Sequence, residues 1–328
     1  MSGSDEFADI ARRFAPLTFG APEALGLLDD AAIIAARPGF DLVITQDALV
    51  EGVHFMPQER GDRVAQKLLR TNLSDLAAKG AEPYGCFLSI SWPTHYDHAA
   101  RDLFAAALKL DLAAYGLALF GGDTTSTPGP LTASLTALGW VKAGGMVRRA
   151  GARAGDLIFV SGTIGDAHLG LRLARGEDLG LCAADQSFLL ERYHCPQPRL
   201  SLGQALLSHA NAAADVSDGL VGDCGHIGRA SHLGMVLDLD RLPVSPAARH
   251  WIEGAPDPAQ AFLNLATGGD DYEIVCAVPE GSADGFVAAG LDAGLGLTRI
   301  GRMTAELAHT VCWHGQAQPI RVKGYQHP

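Results

Sequence analysis

Basic residues are scarce in this 328-residue chain: 25 Lys and Arg stand against 37 Asp and Glu, for a net charge of −12. That balance excludes a general binder of nucleic acid or of anionic membranes, which needs a cationic face. The six cysteines, Cys86, Cys182, Cys195, Cys224, Cys276 and Cys312, form no C-x-x-C pair. Neither a zinc site nor a disulfide framework is indicated, and reduced, buried cysteines in a cytoplasmic protein are expected. The first residues, Met1-Ser-Gly-Ser-Asp-Glu, lack the basic and apolar regions of a signal peptide. The longest apolar stretch, residues 103–122, is interrupted by Lys109 and Asp111 and is too broken to span a bilayer. G-x-x-x-x-G-K-[ST], G-x-S-x-G and H-E-x-x-H are all missing, which disfavours a P-loop kinase, an α/β-hydrolase and a zincin.

What the chain does have is apolar material, 48% of its residues, enough for a large core and a length that suggests two domains. Strand-like runs at 41–45, 87–92, 117–120 and 131–141 alternate with helical spacing over 62–79 and 99–115. A glycine-rich, basic stretch over 142–156 breaks this pattern, and a second set of strands follows, including 157–162, 235–240 and 272–278. The expected organisation is an α/β fold with domains over 1–145 and 146–328.

Aspartates recur beside glycines or at the ends of apolar runs: Asp29-Asp30, Asp47, Asp75, Gly121-Gly122-Asp123, Asp215-Val-Ser217-Asp218-Gly219 and Gly268-Gly269-Asp270-Asp271. Carboxylates of this kind are hard oxygen ligands for Mg²⁺, and neighbouring glycines let backbone N–H groups approach phosphate. On the helix over 62–79, Asn72 and Asp75 share a face with Ala65, Leu68, Leu69 and Leu76, whereas Lys67, Arg70 and Ser74 point elsewhere. An acid on the apolar side calls for a cation, a metal or a hydrogen-bond partner. Asp47 is expected to close the strand at 42–45. Gly121-Gly122-Asp123 is expected where a strand ends, as a phosphate and metal turn or as a plain turn and cap. Ser217 or Asp218 reads as a helix N-cap, or with Asp215 as metal ligands beside a helix start that takes an anion. His54, a lone histidine in its segment, reads more readily as a surface or hydrogen-bonded residue than as a ligand contact.

Taken together, Asp29-Asp30-Ala-Ala, residues 45–55, Asn72 to Gly80, Gly121 to Thr125, Arg149 to Asp156, Asp215 to Leu220, Gly268 to Glu273 and Lys323-Gly-Tyr325 resemble the thiamine-monophosphate kinase family. That family sits in the superfamily of aminoimidazole ribonucleotide synthetase. The resemblance implies a mixed, two-domain fold of that superfamily, each domain a mixed sheet with helices packed on it. It implies a homodimer through the N-terminal domains, and Mg²⁺-dependent phosphoryl transfer from ATP to thiamine monophosphate. Asp30, Thr45, Asp47, Asp75, Asp123, Asp215 and Asp218 are then the Mg²⁺ ligands, and Gly122, Asp123, Arg149 and Ser217 the ATP contacts. Asp75, Asp123, Arg149 and Asp218 carry catalysis. His54, Asp270 and Tyr325 contact thiamine monophosphate, Tyr325 by stacking. The chain departs from the family pattern at Leu28, where a glycine is usual, at Gln46 for a small hydroxyl residue, at Asp270 for Glu, and at its His327-Pro328 end. The alternatives are another ATP-using enzyme of the superfamily and a sensor that binds nucleotide or thiamine phosphate without turnover.

Overall fold

Strand-like and helix-like segments alternate along the chain as its hydrophobic pattern requires, in a computed structural model that describes residues 8–320 and 324. Two compact units form. One comprises residues 1–76 and 81–144, the other residues 77–80 and 145–328.

The first unit contains β1 (Phe40–Val50), most of α1 (Gly61–Ala78), β2 (Glu82–Pro93), α2 (His98–Tyr115), β3 (Ala118–Thr127) and β4 (Thr132–Lys142). Its sheet has the order β1-β4-β2-β3. β4 pairs antiparallel with β1 and β2, whereas β3 joins β2 in parallel. A parallel neighbour needs a crossover, and α2 supplies it. The Asp97 carboxylate caps α2 by accepting from Ala100 N at 2.9 Å, and Gly116 ends it in the left-handed region at φ 73°. Trp92 of β2 meets Phe104 of α2 edge to face, with ring centroids 5.3 Å apart.

Helix α1 buries Val64, Ala65, Leu68, Leu69, Leu73 and Leu76 at the expected spacing, together with Asn72. Lys67 and Ser74, expected on another face, are buried too. Arg70 on that side pairs with Asp111 of α2, so α1 is covered on a second flank.

The second unit contains β5 (Leu157–Ser161), α3 (Asp166–Ala174), α4 (Ala183–His194), α5 (Gly203–His209), β6 (Ala212–Asp215), α6 (Leu220–Ser231), β7 (Gly234–Asp238), α7 (Pro246–Glu253), α8 (Pro258–Thr267), β8 (Ile274–Val278), α9 (Ala283–Asp292), β9 (Leu297–Thr304), β10 (His309–Trp313) and β11 (Gln316–Ala317). Its sheet runs β11-β10-β7-β9-β5-β8-β6, parallel only between β10 and β7. Every residue of β5, β6 and β8 is buried, the pattern of strands covered on both faces. Alternate residues feed two cores: Ile158, Val160, Val275 and Ala277 enter one, and Leu157, Phe159, Ile274 and Cys276 the other.

The mixed α/β architecture expected from the sequence is what forms, with local corrections. β8 starts at Ile274 rather than at 272, because Asp270 and Tyr272 take left-handed φ of 71° and 51° and leave the ladder. Cys182 is exposed rather than buried. Among the described residues, no helix is long and apolar enough to cross a membrane.

Candidate active site

β1 does not close at Thr45 but continues to Val50, so Asp47 lies within the strand. The strand's period of two puts Thr45 and Asp47 on the same face as buried Val43 and Leu49. Helix α1 meets this edge strand through two side chains. Asn72 Oδ1 accepts from Asp47 N at 3.1 Å while its Nδ2 donates to Leu68 O at 2.9 Å. One turn on, the Thr45 hydroxyl donates to the Asp75 carboxylate. Among the described residues, the partner of Asp75 is therefore this hydroxyl rather than a cation. Beyond the strand, His54 Nδ1 accepts from Val50 N at 2.9 Å, which leaves its proton on Nε2.

Gly121-Gly122-Asp123 also lies inside a strand, not at its end, since β3 runs on to Thr127. A bulge admits it: Cys86 pairs with Leu119, Phe87 with Gly121, and Phe120 is the extra residue. Gly122 sits at φ 156°, where a Cβ would fall 1.8 Å from Leu88 O, so no other residue fits. Gly121, Gly122 and Asp123 line a cavity of about 360 Å³ together with Asp29 and Asp30. Leu27, Leu119 and Phe120 supply apolar walls. Asp30 and Asp123 are exposed, and neither pairs with Lys or Arg among the described residues.

These two acid groups do not meet within one chain. Asp47 registers with Leu135, Leu135 with Leu88, and Leu88 with Gly122, which puts Asp47 and Asp123 on the two outer strands. Three strand spacings separate them, about 14 Å along the sheet. Among the described residues, no three His, Cys, Asp or Glu side chains form a ready-made metal cluster.

The second unit assembles its own set. Asp215 ends β6, and the chain then turns through Ser217 and Asp218 into α6. The helix cap is neither Ser217 nor Asp218 but Gly219, at φ 118°. Asp223, one turn into the helix, reaches back instead and accepts from Asp218 N at 3.1 Å. Burial pushes the Asp223 carboxyl up to about 7, with the Asp218 charge adding to the rise and Arg149 opposing it. Burial also lowers His226, and the cations Arg229 and Arg149 act in the same direction. Arg149 thus stands close enough to Asp223 and His226 to act on both.

The loop that precedes β8 is stitched to this turn by its backbone. Asp270 N donates to Ser217 O, Tyr272 N to Val216 O, and Val216 N to Glu273 O, each at 2.8 Å. Gly269 lies against Ser217, where a Cβ would come 2.5 Å from its carbonyl oxygen. Gly324 lies as close to Asp218, at 2.6 Å for the same imagined atom. Tyr325 falls outside the described residues.

The N-terminal domain model of AIR synthase related proteins matches residues 28–141, and the C-terminal model residues 153–314. A thiamine-monophosphate kinase of Caulobacter vibrioides is 52% identical over 296 residues, covering 90% of this chain and 83% of that protein. The chain belongs to the thiamine-monophosphate kinase family. The crystal structure of that kinase from Stenotrophomonas maltophilia is 39% identical, with a TM-score of 0.83 over 95% of this chain and 98% of that one. AaThiL complexed with AMPPCP and TMP is 28% identical, with a TM-score of 0.78 over 89% of each chain.

Two departures from the thiamine-monophosphate kinase pattern are explained by the geometry. Leu28 adopts φ −107°, so a side chain there costs no backbone strain. Gln46 lies on the face opposite Thr45 and Asp47 and donates to Ser134 Oγ at 3.1 Å, away from the acids. The sequence reading missed Asp223, a single acid inside an ordinary helical pattern. It also missed the structural part of Asn72, although its place on the apolar face was the available signal.

Proposed function

We propose that this protein transfers the γ-phosphoryl group of ATP to thiamine monophosphate, releasing ADP and thiamine diphosphate, the last step in making that cofactor, in the cytoplasm. The observation that carries this reading is the 52% identity over nine-tenths of the chain to a thiamine-monophosphate kinase, with Asp47 and Asp123 on strands, Asp75 inside a helix and Asp215 at the end of a strand. The relative complexed with AMPPCP and TMP has the ligand pair that such a reaction requires.

The donor set suits Mg²⁺. Thr45 and Asp75 offer a hydroxyl and a carboxylate in contact, and Asp30 and Asp123 share one cavity. All are hard oxygens, and no thiolate or imidazole stands among them. We assign Asp30, Thr45, Asp47, Asp75, Asp123, Asp215 and Asp218 to Mg²⁺. Bound there, Mg²⁺ would neutralise charge on the β- and γ-phosphates.

The chain's own groups position and balance charge. Gly122, with no side chain, lets backbone approach phosphate, and Ser217 offers a hydroxyl beside Asp218. Arg149 offsets charge that develops on the transferred group. His54, Asp270 and Tyr325 hold the acceptor. Its phosphate is already ionised at neutral pH, so no strong general base is needed and transfer is direct and in line, without a phospho-enzyme. The N-terminal unit also builds a homodimer, which would allow the Asp123 edge of one protomer to approach the Asp75 edge of its partner.

A coupled ADP-release assay with Mg²⁺ tests the reading. Thiamine diphosphate should form from thiamine monophosphate and not from thiamine or aminoimidazole-pathway substrates. Saturable binding with no turnover would replace the kinase by a sensor. A ³²P-labelled protein after mixing with γ-labelled ATP would overturn direct transfer.

A further inference from the structure

The loop over residues 268–273 holds two left-handed, non-glycine residues with one residue between them. Asp270 sits at φ 71° and Tyr272 at φ 51°, conformations that a free loop of these residues rarely adopts. Something must hold them. Intervening Asp271 and following Glu273 are almost completely buried, and both are carboxylates.

Each accepts from donors on other elements. The Asp271 carboxylate accepts from Gly165 N at 2.7 Å and Ala167 N at 3.1 Å, the first N–H groups of α3. Glu273 accepts from the Ser161 hydroxyl at 2.7 Å, from Arg192 at 2.9 Å and from Arg199 Nε at 2.7 Å, with a second Arg199 contact. Arg192 also faces Asp166, whose carboxylate is itself fixed by the Ser245 and Thr163 hydroxyls. His168 of α3 closes the other end of the loop, packed so tightly on Gly268 that a Cβ there would lie 2.3 Å from its ring. This buried set of carboxylates and donors resists small displacements, because movement of the loop strands a carboxylate without donors.

We propose that Asp271 and Glu273 are positioning residues that act through Asp270: by pinning the loop to the start of α3 and to Arg192 and Arg199, they fix the angle at which Asp270 meets thiamine monophosphate. This rests on the assignment of Asp270 as an acceptor contact made above. Asp271 is almost completely buried and does not present its carboxylate to solvent. Its effect is to keep Asp270 left-handed, with its carboxylate 3.3 Å from the Tyr272 hydroxyl and its backbone N–H on Ser217. Supporting groups of this kind decide how well a contacting side chain is held.

A double-mutant cycle reads the coupling. Wild type, Asp270→Ala, Asp271→Ala and the double variant are assayed for the KM of each substrate, below their melting transitions. Asp271→Ala should raise the KM for thiamine monophosphate tenfold or more and leave the KM for ATP within twofold. In the Asp270→Ala background it should add less than twofold, because the residue it acts through is gone. Glu273→Gln should show the same pattern in weaker form. Should Asp271→Ala not fold, Asp271→Asn, which keeps one acceptor oxygen, enters the cycle in its place. Multiplying effects, or an unchanged KM for thiamine monophosphate in Asp271→Ala, would overturn the proposal. An unchanged KM in Asp270→Ala alone would instead remove the Asp270 assignment on which it rests.

Discussion

The hydroxyl of Thr45 donates to the carboxylate of Asp75 across the junction of β1 and α1, thirty residues apart in the chain. The bond fixes the orientation of one carboxylate oxygen and leaves the other available. Thr45→Val keeps the shape and removes the donor, so it should weaken activation by Mg²⁺ about tenfold, as loss of a ligand-orienting group does. Asp75→Asn removes the charge itself and should lower turnover about a hundredfold at saturating substrate. Titrating Mg²⁺ against initial rate separates the two effects. Equal Mg²⁺ dependence in Thr45→Val and wild type would deny Thr45 any part in metal binding.

Gly122 offers a purely steric test. A Cβ there would lie 1.8 Å from the Leu88 carbonyl oxygen, a backbone atom that cannot rotate away. Gly122→Ala must push β3 off β2, at about 3 kcal/mol for overpacking of this kind. Gly129→Ala makes the control, because its nearest atom is Thr127 Oγ1 at 3.4 Å, and it should stay within about 0.5 kcal/mol of wild type. Thermal melts of the two variants should differ clearly. Similar melting temperatures would show that the bulge at Phe120 can relax.

Glu51 gives the first unit an acid-side limit. Its carboxylate accepts from Gln58 N at 2.7 Å and Leu131 N at 2.9 Å, and its Oε1 lies 3.2 Å from His95. Burial alone would raise its pKa, but those backbone N–H groups and His95 together lower it below the usual 4.5. A depressed acid stabilises the fold fully above its unfolded value and loses that stabilisation as pH falls through the folded value. Wild type should therefore lose stability between pH 5 and lower values more steeply than Glu51→Gln, in about the range set by ordinary carboxylates. Urea melts at neutral and acid pH provide the comparison. Parallel curves for the two proteins would remove Glu51 from the acid response.

Much of this is legible in the sequence, and the rest is not, for identifiable reasons. Helix α1 could be read because its apolar residues recur at 3.6 and Asp75 falls on their side. The acid clusters could be read because they are local in sequence. Their distribution could not: β1 and β3 look equivalent in the chain, and only the order β1-β4-β2-β3 reveals that Asp47 and Asp123 stand on opposite edges. Gly121-Gly122-Asp123 reads as a turn because two glycines usually break a strand. Pairing with β2 on one side and a bulge at Phe120 override that local preference. Asp271 and Glu273 look like more of the same acidic motif, and nothing in the sequence says that their donors come from residues 161, 165, 167, 192 and 199.

Arg70 and Asp111 form the test of how the helices of the first unit hold together. Arg70 Nε reaches Asp111 Oδ2 at 2.7 Å and Nη2 reaches Oδ1 at 3.0 Å, a two-pronged pair between α1 and α2 with both side chains mostly out of water. Removing one member leaves the other charge buried without its counter-ion, which costs more than the pair itself contributes. Asp111→Ala should thus destabilise the protein by about 3 kcal/mol. Replacing both, as Arg70→Met with Asp111→Leu, should recover most of that loss, because two apolar side chains carry no desolvation penalty. Urea unfolding followed by circular dichroism measures both, with the slope expected to stay constant while the midpoint moves. If the double variant is as unstable as Asp111→Ala, then geometry specific to the ion pair, rather than the stranded charge, is what joins α1 to α2.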